Sequence, residues 1–420
     1  MKKKGFCVLA IVLAVFPGFF FCKWYFGRCP SVPQCAAASL AEARVGPQEA
    51  PIASTRRMLA AQVMVFRSRD YTQVEQRMIN LKDAGVNTVI VRAFQNRGDG
   101  VYRFSRPQCK TGVYFETSHA PVVDPVLTRI VSIGHHHGLK VFAWMETRKM
   151  PLHLPDAQPF TALRYCFETR FFEPIHAWSI FNETVEKKLI GLYEDVVGCG
   201  VDGILIQDDL VMHQYEDFSP NGAALFAKET GRVLDPETLY NGVFKDEEGR
   251  WLVSRYSDTF WVWARWKNQK LLNLAAKLIH AAKGADPEIE VAMNFMYESV
   301  TAPNNALAWL SQSLDEAVKL PLDFYAIMAY HRQIKKELHL SEAAAYNRVS
   351  SMTATLLKVI DDPHKILMKV QMSDWDTRKQ IPADEANQVF KRINNQGQVS
   401  LAFIPYSPKV PLQVIGHYFR

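Results

Sequence analysis

Short apolar runs recur along this chain, at residues 61–66, 86–94, 139–145, 203–206, 289–296, 324–330, 366–372 and 399–404. Between them, apolar residues return at helical spacing over 71–84, 125–137, 183–197, 258–282, 304–318, 341–360 and 383–393. Most of the runs are continuous rather than alternating, which marks strands covered on both faces, as in a parallel sheet. Two helical patterns stop at a glycine that leads at once into the next run, Gly85 in Asp-Ala-Gly-Val-Asn and Gly138 in His-His-Gly-Leu-Lys. Eight runs alternating with seven helical patterns predict a (β/α)8 TIM-type barrel, its eighth helix missing or reduced after Pro408. Long loops are expected after strands two (95–123), three (146–182) and four (210–257). All three open at the carboxyl ends of strands, so they are expected to build one wall of a cleft.

The first residues follow a different pattern. Lys2, Lys3 and Lys4 precede an uncharged stretch over 5–22, bounded by Lys23. That length sits at the lower edge of what spans a bilayer, and the positive flank places the rest of the chain outside the cytoplasm. The expectation is an N-terminal membrane anchor or signal segment (1–22), a linker (23–57) and a barrel (58–420) on the periplasmic side of the inner membrane, in the cell envelope. Charge agrees with this division. Residues 1–57 hold eight Lys and Arg against two Asp and Glu, which is the whole net charge of +6, and the remainder carries 41 of each sign. The basic pI of 8.8 therefore gives no reason to expect a nucleic-acid partner. Hydrophobic residues make up 48% of the chain, enough for a large core. Of seven cysteines, Cys109, Cys166 and Cys199 fall in the barrel, where at most one bridge can form and no Cys-x-x-Cys spacing suggests zinc.

Chemistry is sought at the strand ends. Strand four runs from Ile204–Ile206 into Gln207, Asp208 and Asp209, with Glu216 and Asp217 shortly after. Four carboxylates so close to one strand end point to catalysis or binding, against the alternative of a helix cap and a solvated loop. Strand three ends in Trp144-Met145-Glu146, and strand five runs on through Tyr297 and Glu298. Strand six ends in Tyr330-His331, strand seven in Asp374-Trp375 and strand eight in Tyr406. Acids beside aromatic rings suit sugar chemistry, because apolar sugar faces stack on rings and a carboxyl pair cuts a glycosidic bond. There is no Gly-rich phosphate loop, no Gly-x-Ser-x-Gly elbow and no His-Glu-x-x-His. Neither a cofactor nor a metal is expected, since His135, His136 and His137 are consecutive in a helical pattern and point in different directions. Trp261, Trp263 and Trp266 lie in a long helical pattern and are read as packing residues. Arg92 is balanced between a substrate ligand and a structural ion pair. Glu146 and Asp374 are alike balanced between sugar contacts and caps.

The block GILIQDDLVMHQYEDFS (203–219) resembles the C-terminal glycoside-hydrolase domain of the PgaB family, periplasmic poly-β-1,6-N-acetylglucosamine N-deacetylases. GVNTVIVRAF (85–94), SHAPVVDPV (118–126), LKVFAWM (139–145) and VQMSDWDTRKQIP (370–382) agree in order. The resemblance runs from about Gln62 to Tyr406. It implies a barrel that holds partly deacetylated poly-β-1,6-N-acetylglucosamine, or a similar amino-sugar exopolysaccharide, in an acidic groove and hydrolyses it internally. The family's deacetylase half is not matched, so deacetylation is not expected. Gln207 stands where the family has a His, Gln214 where an acid is usual and Asn304 where a Glu is expected. Those departures keep a second reading open, a non-catalytic polysaccharide-binding barrel that assists export machinery. On the hydrolase reading Asp208, Asp209, Glu216 and Glu298 are the candidate catalytic carboxyls. Trp144, Glu146, Asp217, Tyr297, Tyr330, Asp374, Trp375, Tyr406 and His119 are the candidate substrate contacts.

Overall fold

A computed structural model describes residues 57–154, 158–247, 249 and 251–419. The expected anchor and nearly all of the linker lie outside these residues, and among the described residues no helix is long and apolar enough to cross a membrane. The apolar runs form eight strands: β1 (Leu59–Val63), β2 (Thr88–Arg92), β3 (Lys140–Met145), β4 (Gly203–Ile206), β5 (Glu290–Phe295), β6 (Phe324–Ala329), β7 (Ile366–Gln371) and β8 (Ser400–Ile404). Each pairs in parallel with its sequence neighbours, and β1 pairs with β8 through Leu59↔Leu401, closing the barrel. Every residue of β2, β4, β6, β7 and β8 is buried, which is why these runs lack alternation.

Eight helices return the chain: α1 (Tyr71–Asp83), α2 (Leu127–His136), α3 (Glu183–Val197), α4 (Asp258–Ala285), α5 (Pro303–Leu310), α6 (Glu342–Val359), α7 (Ala383–Asn394) and α8 (Leu412–Gly416). Asp70, Asn182, Ser257 and Ser341 cap α1, α3, α4 and α6 by accepting from backbone amides of the first turn. The eighth helix is indeed reduced, to five residues.

Two expected elements shift. The first run is expected at 61–66, whereas β1 stops at Val63; Phe66 is apolar because it packs on Tyr102 of the following loop, and its amide donates to Val101 O. The helix expected over 304–318 breaks at Ser311, where φ is +50°. There the Ser311 hydroxyl donates to Met212 O, and the Met212 amide donates to Leu310 O. Tertiary hydrogen bonds to the loop after β4 thus override local helical periodicity.

The long loops after β3 and β4 contain two hairpins, Thr161–Cys166 with Phe171–Trp178 and Tyr240–Lys245 with Trp251–Tyr256. Together with α4 they enclose a second aromatic core that includes Tyr165, Phe218, Tyr240, Phe260, Trp263 and Trp266. Trp263 and Trp266 are therefore packing residues, and Trp261 packs against Tyr256 and Phe260. Buried charge fixes this core to the barrel. Arg148 pairs with Glu216 at 3.0 Å, and the Lys267 ammonium donates to the carbonyls of His213 and Glu216. Cys109, Cys166 and Cys199 are free thiols.

Gly85, between α1 and β2, has φ +88°, and a Cβ there would sit 2.4 Å from Phe419 O. Gly98 has φ +91° with open space around it. Gly85→Ala is therefore expected to lower unfolding stability by about 2 kcal/mol or more, against about 1 kcal/mol for Gly98→Ala. Urea unfolding of both variants checks this, and equal losses would refute the role given to the Phe419 contact.

Candidate functional site

A cleft of about 2090 Å³ opens at the carboxyl end of the barrel. Strands feed it with residues two apart, as pleating requires: Trp144 and Glu146 at β3, Asn294 and Met296 at β5, Met328 and Tyr330 at β6. The wall differs from the expected one. The loops after β3 and β4 turn away to build the aromatic second core, whereas the cleft is walled mainly by the segments after β6, β7 and β8. Of the three long loops, the one after β2 contributes Asp99 to the lining.

The strand-four acids separate. Asp208 lines the cleft and faces the Lys369 ammonium of β7. Asp209 points the other way, into the protein. It accepts from the Thr147 amide at 2.9 Å, the Thr147 hydroxyl at 2.9 Å and the Lys149 amide at 2.8 Å, and so holds the loop after β3. Glu216 is occupied by Arg148, and Asp217 accepts from the amides of Leu163 and Ser219. Neither Glu216 nor Asp217 lines the cleft. The geometry gives these two, with Asp209, structural places rather than the contacts expected of them, because each accepts a hydrogen bond or an ion pair from the loops after β3 and β4.

Glu146 gains importance instead. It is 3% exposed at the end of β3 and lines the cleft. One carboxyl oxygen accepts from Asn96 at 2.9 Å, and the other has no partner among the described residues. Burial, and then the nearby Asp209 carboxylate, raise its pKa far above the usual carboxylate range. Glu146 and Asp208 thus present a proton-retaining carboxyl and a second carboxyl next to Lys369, on the ends of adjacent strands.

Further orphaned polar atoms face the same floor. Both side-chain heteroatoms of Gln62, the Gln371 Oε1 and the Arg92 Nε are buried without partners among the described residues, and all three residues line the cleft. Such groups are costly unless a polar ligand meets them. Arg92 also pairs with Asp99, so the two readings left open for it hold together. Lys369 donates to Asn294 Oδ1 at 2.7 Å, and burial lowers its pKa to about 7 against the pull of Asp208. Lys369 and Gln371 are the functional candidates that strand-end reasoning misses. Their signal is a polar residue inside the otherwise apolar run Ile366–Gln371.

The aromatic expectations divide similarly. Tyr330, Trp375, Trp144 and Tyr406 line the cleft; Tyr330 and Trp375 meet edge to face with centroids 5.4 Å apart. The Trp144 indole donates to Gln207. Asp374 lines the cleft but is clamped by Arg332, which also grips Glu385 through two hydrogen bonds. Burial opposes ionisation of Glu385, yet Arg332 and His331 hold its pKa down to about 2. Tyr297 and Glu298 are buried and do not line the cleft. Burial, followed by Glu337, pushes Glu298 up to about 8. His119 lies against Gly191 of α3 and 3.9 Å from Asp195, outside the cleft, which corrects its placement among the sugar contacts.

The groove is not acidic, contrary to expectation. Ten Lys and Arg residues line it against eight Asp and Glu. His135 pairs with Asp202, whereas His136 and His137 converge with Glu75, their donor atoms within 4.8 Å of one another. That grouping arises because α2 ends at His136, and it sits at the end of the barrel opposite the cleft.

Comparison with known proteins agrees with this architecture. The poly-β-1,6-N-acetyl-D-glucosamine N-deacetylase of Escherichia coli K12 is 23% identical over 354 residues, covering 79% of this chain and 47% of that protein. The chain thus spans about half the length of the curated relatives it matches. The PgaB (BpsB) glycoside hydrolase domain from Bordetella bronchiseptica superposes with a TM-score of 0.66 at 21% identity, covering 83% of this chain and 94% of that one. The catalytic domain of β-amylase from Paenibacillus polymyxa gives 0.57 at 10% identity, over 87% and 98%. These two likenesses establish a shared barrel fold. Residues 68–404 match a family model from the first loop of the barrel to the end of β8, and the chain belongs to that family, hypothetical glycosyl hydrolase family 13.

Proposed function

We propose that this domain is an endo-acting glycoside hydrolase of a β-linked amino-sugar exopolysaccharide, poly-β-1,6-N-acetylglucosamine or a close chemical relative. The observation that carries this reading is the unequal pair at the ends of β3 and β4. Glu146 lines the cleft, is buried, keeps its proton and has one oxygen without a partner among the described residues, while Asp208 lies next to Lys369. A buried carboxyl that keeps its proton, with a second carboxyl on the adjacent strand end, is the pairing that glycosidic cleavage uses.

In this mechanism the Glu146 carboxyl gives its proton to the glycosidic oxygen as the C–O bond breaks. The Asp208 carboxylate acts on the opposite face of the sugar, either on water or on the anomeric carbon. The anomeric configuration of the first product distinguishes those two roles, inversion for water activation and retention for direct attack. Tyr330 and Trp375 offer ring surface for the sugar faces, and the amide of Gln62 meets hydroxyls at the floor. Within the same proposal, the uncharged stretch at 5–22 anchors the domain to the membrane and places it near polysaccharide export machinery.

Purified residues 58–420 are expected to shorten the polymer and generate new reducing ends. Glu146→Gln and Asp208→Asn should each lower the rate by about 10²- to 10⁴-fold. Tight binding of polymer by the wild-type domain without any new reducing ends would instead establish a binding barrel, the reading that Gln207 in the family's His position favours.

The pH profile gives an independent check. A general acid works only while protonated, so activity is lost as pH rises through the pKa of Glu146. Because that pKa is raised, the alkaline limb should lie well above the ordinary Glu value of about 4.3. Asp209→Asn removes the neighbouring negative charge and keeps an acceptor oxygen for the Thr147 bonds. It should move the alkaline limb about 1 pH unit toward acid while leaving the domain folded. An unmoved limb in that variant would remove Glu146 from the acid's role.

A further inference from the structure

The charges lining the cleft are unevenly compensated. Nearly every acid is engaged by a named partner. Asp99 is held by Arg92, Asp374 and Glu385 by Arg332, Asp376 by Lys336, and Glu342 by Tyr346; Glu146 keeps its proton and Asp208 faces Lys369. Glu337 is flanked by Tyr297 and Glu298. The cations behave differently. Arg67, Arg77, Lys379 and Lys409 line the cleft, and among the described residues their side chains make no hydrogen bond or ion pair.

These four share one arc of the rim. Arg67 follows β1, Arg77 belongs to α1, Lys379 lies in the loop after β7, and Lys409 in the loop after β8; β7, β8 and β1 are consecutive in the closed barrel. The two lysine loops are tied together, because the Ser407 hydroxyl donates to the Gln380 side chain at 3.2 Å and accepts from the Lys409 amide at 3.3 Å. The field of Arg77 reaches the Tyr406 phenol at the end of β8. The acids of the cleft, including Asp374 and Asp376 in the same loop as Lys379, are already engaged, so this arc carries the uncompensated charge of the cleft. Low-dielectric walls focus such a field on whatever enters.

We propose that the rim between β7 and α1 is a subsite for an anionic sugar unit, bearing a carboxylate or an acidic ester, and that Arg67, Arg77, Lys379 and Lys409 select it. This rests on the glycoside-hydrolase reading above and reverses the charge preference implied by the family resemblance. A polymer crossing the cleft would place its neutral or anionic units over this arc, and free amino groups would be repelled from it.

The test titrates the domain with hexasaccharides of four kinds. They are β-1,6-linked N-acetylglucosamine, its de-N-acetylated form, its O-succinylated form, and a β-linked glucuronate–N-acetylglucosamine alternate. At about 20 mM salt at least one anionic hexamer should bind roughly tenfold tighter than the neutral one, and the advantage should vanish by about 500 mM. Which anionic hexamer gains distinguishes an acidic ester from a uronate. The exposed-loop changes Lys379→Glu and Lys409→Glu, combined, should abolish the anionic preference, and circular dichroism confirms that the variant is folded. Equal or tighter binding of the de-N-acetylated hexamer overturns the inference. If the neutral hexamer is then still cut, the hydrolase reading survives that outcome. Failure of all four hexamers to bind overturns both.

Discussion

Asp209 accepts hydrogen bonds from the Thr147 amide and hydroxyl and from the Lys149 amide, and this clamp between the ends of β4 and β3 governs the chemistry above it. A buried carboxylate with that many donors is satisfied, so Asp209 can stay in place with little solvent contact. Its position fixes where the chain turns after β3, and hence where the Glu146 carboxyl is held. It also sets the electrostatics, because a negative charge beside a buried carboxyl makes loss of the second proton harder. A residue that never meets the cleft thus adds to burial in holding the proton on one that does.

The same loops explain the fate of the other acids after β4. Glu216 and Asp217 stand at the seam between the barrel and the aromatic second core, where Arg148 and Lys267 are also buried. Breaking such a pair leaves a charge stranded, at a cost of about 3–5 kcal/mol. These residues therefore specify how the two hairpin loops dock, and the docked loops leave the cleft to be walled by the segments after β6, β7 and β8. Carboxylates at one strand end have been divided between anchoring an insertion and facing a substrate.

Much of the fold was legible because a parallel barrel imposes a simple signature. Strands buried on both faces must be continuously apolar, and Gly85 and Gly138 end helices at the turns into β2 and β3. The site was legible only in outline. Asp208 and Asp209 are adjacent and chemically alike, but successive residues leaving a strand point to opposite sides, so one enters the cleft and the other the protein. No local pattern says which. Glu146 was visible as a strand-end acid, yet its raised pKa depends on burial and on Asp209, both set by tertiary packing. Lys369 and Gln371 were hidden by the assumption that chemistry begins where the apolar run stops. His119 was suggested by its block, SHAPVVDPV, but that segment packs along α3.

Two buried acids, Glu146 and Glu298, have pKa values raised by similar causes, and access decides between them. Burial and a carboxylate neighbour act on both, Asp209 in one case and Glu337 in the other. Glu298 sits behind Glu337, which is the member of that pair facing the cleft, so a substrate oxygen has no route to it. Glu146 lines the cleft with an unpaired oxygen, on the strand adjacent to that of Asp208. A proton can be useful in catalysis only if it is both retained and reachable, and among the carboxyls at this end of the barrel Glu146 meets both conditions.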